Sequence, residues 1–378
     1  MMEHEFKLLR RVLKERSGID LSEDKMDLVE AKLRPVLREF EFPSFSHLTL
    51  ALTKPNCDHL RSRVVQAIAV LESYFFRDKT PFSYFADVML PRLMERRRAS
   101  RRIRIWCAAA STGQEPYSLA MLVAEAGQLL DGWKVEIVAT DFADDALRRA
   151  EKGSYSQFEV QRGLPVSKLI KYFQKAGNGW QIKPEIRAKV DFREFNLLDD
   201  CQELGMFDIV FCRNVLIYFD EHLKSAVLGR LAGQLASDGY LVLGAAETTT
   251  GLSPDFTQVP ECSHGIFCFT PSAAARQAER IARLRREPKA GDRPPSGGDG
   301  EGRLSGAGPR HGDGRGPGAA QAGEAKVRAV ELDGRTAELL ETRAKARGLS
   351  IAKLVAEFAL SGDTGPEDFQ ALQLKAAG

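Results

Sequence analysis

Arg102-Ile-Arg-Ile-Trp-Cys-Ala-Ala-Ala-Ser-Thr-Gly-Gln-Glu-Pro-Tyr-Ser-Leu-Ala-Met121 decides the fold of this chain. Ile103, Ile105 and Cys107 alternate with other residues, which predicts a buried strand. The small residues Ala108 to Gly113 then make a turn, and a helix is expected from Pro116 to Leu130. Strand, tight turn and helix N-terminus together leave bare backbone N–H groups facing a ligand. Glu115 stands at the helix opening, where a carboxylate can hold a cationic group, so the loop suits a zwitterion better than a pyrophosphate. The dinucleotide pattern GxGxxG is absent, and with it the main argument for NAD.

Working outward, Lys134–Thr140 reads as a second strand ending in Asp141. An acid at the end of the second strand of a nucleotide-binding βαβ unit can bond both ribose hydroxyls; an N-cap for the helix expected at Asp144–Ala150 is the alternative, and the loop upstream favours the ribose. Residues 154–193 interrupt the alternation as a small mixed insert. Val190–Phe195 is the next strand, with Asn196-Leu197 at its carboxyl end, and Met206–Cys212 is an apolar central strand. That last strand delivers Arg213 and Asn214 to the same rim, with Tyr218 just beyond. An amphipathic helix (Leu223–Leu235), a turn at Ser237-Asp-Gly239 and a strand (Tyr240–Gly244) follow, and Gly265–Phe269 closes the sheet as an antiparallel strand. No role is assigned to Ala245-Ala-Glu247.

Upstream, residues 1–75 read as a helical domain in which Pro35 bends or ends the second helix. Lys25, Lys32, Arg34 and Arg38 are its candidate docking cations, interleaved with Asp27, Glu30 and Glu39. Phe75 and Phe76 suit the core, whereas Arg77, flanked by aromatics at the domain seam, is placed to pair with a carboxylate. Arg92 to Arg104 holds seven arginines and one glutamate, readable as a solvated helix end or as an anion-attracting patch.

Composition limits the function classes. A chain of 378 residues can bury a sizeable core in more than one domain. A net charge of +2 makes nucleic acid an unfavoured partner. Six cysteines without a CxxC pair, and scattered histidines, predict neither disulfides nor a metal centre. No apolar run is long enough for a membrane span and no leader is evident, so the expectation is a cytoplasmic protein without membrane insertion.

Five blocks in order carry a family resemblance: Glu72-Ser-Tyr-Phe-Phe-Arg-Asp78, Ala110–Ser118, Ala139-Thr-Asp-Phe142, Phe195-Asn-Leu-Leu198 and Phe211–Phe219. From about Phe6 to about Phe269 the chain resembles the CheR-type chemotaxis methyltransferases, which use S-adenosylmethionine to esterify glutamates on chemoreceptors. The resemblance implies an α/β fold, with a Rossmann-like methyltransferase sheet at 76–270, an N-terminal all-α domain at 1–75 and a small β insert at 154–193. It implies Ser73 and Arg77 at the methionine end of the cofactor, and Asn196 and Leu197 around the adenine. Asn214 and Arg213 would line the cofactor, while Arg77 and Tyr218 would reach the transferring methyl as the catalytic pair. Leu71 stands where the family often has Asn. The partner implied is the cytoplasmic helical bundle of a chemoreceptor. The short turn Ala176-Gly-Asn-Gly179 is similar to that of members that do without a pentapeptide tether. A noncatalytic SAM-binding scaffold or sensor acting through its C-terminal module is the alternative.

From Pro271 a short basic helix (Ala273–Arg286) opens a Gly/Pro/Arg-rich linker reaching 325, too poor in apolar residues to fold alone. Residues 326–362 are similar to a ribbon-helix-helix module, which would imply dimerisation or protein docking, and 363–378 form a tail.

Overall fold

The computed structural model describes residues 1–69, 72–260, 262 and 265–286. The expectations for Leu71, the linker beyond 286, the 326–362 module and the tail lie outside the described residues.

Four helices form the N-terminal domain: α1 (Glu3–Ser17), α2 (Met26–Glu39), α3 (Phe45–Leu52) and α4 (Asp58–Ile68). Phe6, Leu9 and Leu13 of α1 share one helical face and meet Val29, Leu33 and Val36 of α2 and Val64, Val65 and Ile68 of α4. α2 continues through Pro35 rather than ending there. Lys32, one of the candidate docking cations, is turned onto its own domain. Its Nζ donates to the carbonyls of Ile68 (2.9 Å) and Ala69 (3.2 Å), orphan acceptors at the end of α4, and burial lowers its pKa. Arg34 pairs with Glu30 at 2.6 Å and Lys25 with Asp24 at 2.9 Å. α5 (Thr80–Tyr84), a π turn (Phe85–Met89) and α6 (Leu90–Arg96) then run on to the sheet, a helical stretch the periodicity did not reveal.

The second domain continues with β1 (Arg102–Ala108), α7 (Gln114–Ala126), β2 (Lys134–Asp141) and α8 (Asp144–Lys152). The insert follows as β3 (Ser154–Ser156), α9 (Gln157–Gln161), α10 (Val166–Tyr172), β4 (Phe173–Ala176), β5 (Gly179–Ile182) and α11 (Pro184–Arg187). β6 (Val190–Glu194), β7 (Phe207–Cys212), α12 (Glu221–Gln234), β8 (Leu235–Leu243), β9 (Phe256–Gln258), β10 (Ile266–Phe269) and α13 (Pro271–Arg286) complete it. The main sheet has the order β6-β2-β1-β7-β8-β10-β9. From β6 to β8 its pairings are parallel, and β10 is antiparallel to both neighbours.

Alternation sends Ile103, Ile105 and Cys107 to the face packed by Tyr117, Leu119 and Met121 of α7. Trp106 and Ala108 point to the other face, packed by Val227, Leu228 and Leu231 of α12. A strand buried on both faces is what a doubly wound parallel sheet requires. The chain fills one side of β1 with β2 and β6, then returns to β7 on its other side. Connections leaving β1 and β7 therefore diverge, opening a crevice at their carboxyl ends.

Three details refine the sequence reading. Ser237-Asp-Gly239 is not a turn but part of β8, where the path from Leu235 to Tyr240 spans the step that β7 covers from Phe207 to Ile209. Gly239 is needed there because a Cβ would lie 2.7 Å from the Asp208 carbonyl. The arginine run is largely consumed within the protein: Arg97 binds Asp208 (2.7 Å) and Asp238 (2.5 Å), and Arg102 and Arg104 bind Glu136 at 2.7 and 3.0 Å. Pro271–Arg286 is packed rather than free, for Ala273 is buried and Gln277 Nε2 donates to the Ala232 and Leu235 carbonyls.

Candidate active site at the carboxyl edge of the sheet

One cavity, open to solvent, lies at the β1/β7 switch point. Ser73, Arg77, Glu115, Asp141, Asn196, Leu197, Arg213, Asn214 and Tyr218 all line it. Ser17, Ile19 and Ala69 of the N-terminal domain close one side, and Phe142, Phe195, Val215 and Phe219 add apolar wall.

The loop after β1 crowds its backbone toward the crevice, with Ala109 at φ 63°, Ser111 at φ 53° and Gly113 at φ 91°. Left-handed conformations of side-chain-bearing residues cost about 1–3 kcal/mol each and persist where the surroundings enforce them. Asp141 is one enforcer: its Oδ2 accepts from the Ser111 N–H (2.8 Å) and its Oδ1 from the Ala143 N–H (2.9 Å). It therefore does not cap α8, whose N-cap residue Ala143 makes no side-chain cap bond. Burial raises the Asp141 pKa, and the backbone donors oppose that rise. With about four acceptor sites on a carboxylate, three backbone donors leave room for a further donor, such as a sugar hydroxyl.

Glu115, at the first turn of α7, accepts from Arg213 Nη1 at 2.8 Å. Burial raises its pKa, Arg213 pulling the other way. Arg213, read as lining the cofactor, is committed to protein partners. Its Nη2 donates to Asp78 Oδ2 (2.6 Å) and to the Arg77 carbonyl (3.0 Å), while its buried Nε–H has no partner among the described residues. The bridge fixes a strained turn in which Phe76, Asp78 and Lys79 have φ of 50°, 68° and 48°. Arg77 itself is half-buried. It donates to the Glu72 carbonyl at 3.2 Å, lies 5.2 Å from the Tyr74 ring and has no carboxylate partner among the described residues.

Asn196 sits on the cavity wall with its amide already engaged. Nδ2 donates to the Arg16 carbonyl (2.7 Å) and Oδ1 accepts from the Leu198 N–H (3.1 Å), so it acts as a turn residue and as a tie between domains. The Tyr218 carbonyl makes a second tie, accepting from the Asp20 N–H at 2.9 Å. Tyr218 is half-buried; burial raises its phenol pKa and the neighbouring Arg77 lowers it. Glu247, given no role from the sequence, accepts backbone N–H bonds from the loop carrying Asn214 and Tyr218. Its signal is weak: an acid just beyond a strand could face solvent as readily.

The donor set fits a nucleoside-linked amino acid. A buried acid beside the helix opening matches an ammonium, a second acid matches vicinal hydroxyls, and apolar walls between them match a purine. Among the described residues no three His, Cys, Asp or Glu side chains are grouped to hold a metal ion, and no helix is long and apolar enough to cross a membrane.

Residues 71–264 match the model of the CheR methyltransferase SAM-binding domain, and residues 4–69 that of the CheR methyltransferase all-alpha domain. The chain is 40% identical over 268 residues to chemotaxis protein methyltransferase Cher2 of Pseudomonas putida, covering 69% of this chain and 96% of that protein. It is 41% identical over 268 residues to chemotaxis protein methyltransferase 1 of Pseudomonas aeruginosa, with the same coverage of each chain. Against the chemotaxis protein methyltransferase of Vibrio parahaemolyticus the identity is 39%, covering 70% of this chain and 96% of the relative.

Proposed function

The chain belongs to the CheR methyltransferase family, and from that premise we propose that it esterifies glutamate side chains of chemoreceptors, giving glutamate methyl esters for sensory adaptation. Its cofactor is S-adenosylmethionine. The observation that carries the proposal is the convergence of Arg77, Glu115, Asp141 and Tyr218 on one cavity at the switch point of the sheet.

Bound there, the cofactor supplies an electrophilic methyl group on a sulfonium centre. Glu115 would hold its ammonium with the oxygen that Arg213 leaves open, and Asp141 its ribose hydroxyls. With the Asn196 amide engaged, Leu197 and the Phe142 and Phe195 rings offer the adenine an apolar slot. The acceptor glutamate is ionised at neutral pH, so no general base is needed. The work left to the protein is alignment and exclusion of water. Arg77, lacking a carboxylate partner among the described residues, can grip the incoming glutamate through its fork of donors. The Tyr218 hydroxyl would border the methyl from the opposite loop.

The two-residue turn Gly177-Asn178 between β4 and β5 supports a member that needs no pentapeptide tether. Tritiated S-adenosylmethionine with candidate receptor cytoplasmic fragments, scored for base-labile methyl esters, tests the function. Ester on at least one fragment is expected; cofactor binding without any ester would turn the reading toward a noncatalytic sensor.

A further inference from the structure

The Glu247 carboxylate is buried, yet forms no ion pair with a cation among the described residues. It is satisfied by backbone alone. Oε2 accepts from Gly244 N–H (2.7 Å) and Asn214 N–H (2.8 Å), and Oε1 accepts from Val215 N–H (3.0 Å) and Ile217 N–H (3.3 Å). Three of these donors belong to the segment after β7, whose part-buried amides would otherwise lack an acceptor within the protein. The segment needs such a template. Asn214 sits at φ 58°, and the chain must reverse between the end of β7 and the 3₁₀ turn Leu216–Tyr218. Gly244 completes the cradle, since a Cβ there would lie 2.6 Å from Asn214 Nδ2 and 2.8 Å from Glu247 Oε2.

We propose that Glu247 is a positioning residue for methyl transfer: by gathering the amides of Asn214, Val215 and Ile217, the run that leads directly into Tyr218, it sets where the Tyr218 side chain stands in the cavity. This rests on the reading of Tyr218 as a residue at the transferring methyl. Gln at 247 would keep the size but turn an amino group toward two of the four amide donors, so the loop must shift. Asp would keep the charge and shorten the reach by one methylene.

The test is a double-mutant cycle in the full chain, E247Q against Y218F, with ester formation, cofactor affinity and thermal stability measured on each protein. E247Q should lower kcat by about 100-fold, the size expected of a displacement of about 1 Å in a reacting group. E247Q/Y218F should be no slower than Y218F beyond about twofold, because the second change removes what the first displaces. E247D should recover part of the rate. If E247Q proves too unstable to assay, G244A perturbs the same cradle with the carboxylate present and should show the same dependence on Tyr218. Multiplicative losses in either cycle, or wild-type kcat in E247Q, would overturn the assignment. A wild-type enzyme that esterifies no receptor fragment refutes the proposed function instead, so the two failures are told apart.

Discussion

Arg213 Nη1 and Glu115 Oε2 meet at 2.8 Å on the cavity wall, a buried ion pair formed just beyond the ends of two adjacent parallel strands. Because Asp78 takes the other side of the same guanidinium, Glu115 is only half neutralised, and the site keeps negative character for a cationic ligand.

That balance makes cofactor binding depend on pH. Burial holds the Glu115 pKa above its ordinary 4.5, so folding favours the protonated form. Its contribution to stability is full below the unfolded value and is lost as pH rises through the folded one. Cofactor affinity runs the other way, since an ammonium needs the ionised carboxylate. Calorimetric titration from about pH 4.5 to about pH 7 should show affinity rising, and Glu115→Gln should flatten the curve and cost about 10- to 100-fold at neutral pH. A flat wild-type profile would remove Glu115 from cofactor binding.

Arg77→Ala separates chemistry from folding. The side chain gives up one bond to the Glu72 carbonyl and its contact with the Tyr74 ring, so stability should change by no more than about 0.5 kcal/mol. The kcat for ester formation should fall about 100-fold, with Arg77→Lys between the two because it keeps charge without the bidentate fork. Unchanged kcat in Arg77→Ala would leave the acceptor glutamate without its proposed partner.

What was legible in the sequence follows from range. β1, its loop and α7 are written in adjacent residues, as alternation, then small side chains, then a helix start, so Glu115 and Asp141 could be placed from spacing alone. Contacts closed over long separations were not visible. That the cavity-lining Arg213 also pairs with Asp78, 135 positions earlier, and that the Asn196 amide donates to the Arg16 carbonyl of α1, no local pattern announces. The four amides gathered by Glu247 are backbone groups that no residue type announces. The left-handed Phe76 and Lys79 are equally hidden, because neither residue favours that conformation by itself.

Lys79 offers a test of that strain. At φ 48° and ψ −55° it occupies backbone that a side chain resists, and it is exposed, with little packing to lose. Lys79→Gly should stabilise the protein by about 1 kcal/mol, the relieved strain outweighing the extra freedom of the unfolded chain. The same freedom loosens the turn that presents Arg77, so kcat should drop while cofactor affinity holds. A variant with lower thermal stability would mean that the turn is relaxed rather than strained.

Arg97 decides between the two readings of the arginine run. It spans β7 and β8 from the end of α6, with Nε on Asp208 (2.7 Å), Nη1 on Asp238 Oδ2 (2.9 Å) and Nη2 on Asp238 Oδ1 (2.5 Å). Asp208 also accepts from the Arg104 N–H at 2.8 Å, so the guanidinium pins the bulge of β8 to the start of β1. These groups lie near the amino ends of β1 and β7, five residues and so about 16 Å along either strand from the cavity-lining Ala109 and Arg213 at about 3.3 Å per residue. Arg97→Ala should therefore destabilise the protein by about 1–3 kcal/mol, because Asp208 and Asp238 lose their shared guanidinium and keep only the Arg104 N–H and the more distant Arg96. Receptor methylation by the folded fraction should be intact, and its salt dependence should match the wild type. A variant that keeps its melting temperature but loses methylation at low salt would instead make this run the anion-attracting patch, and would move the receptor contact to the far end of the sheet.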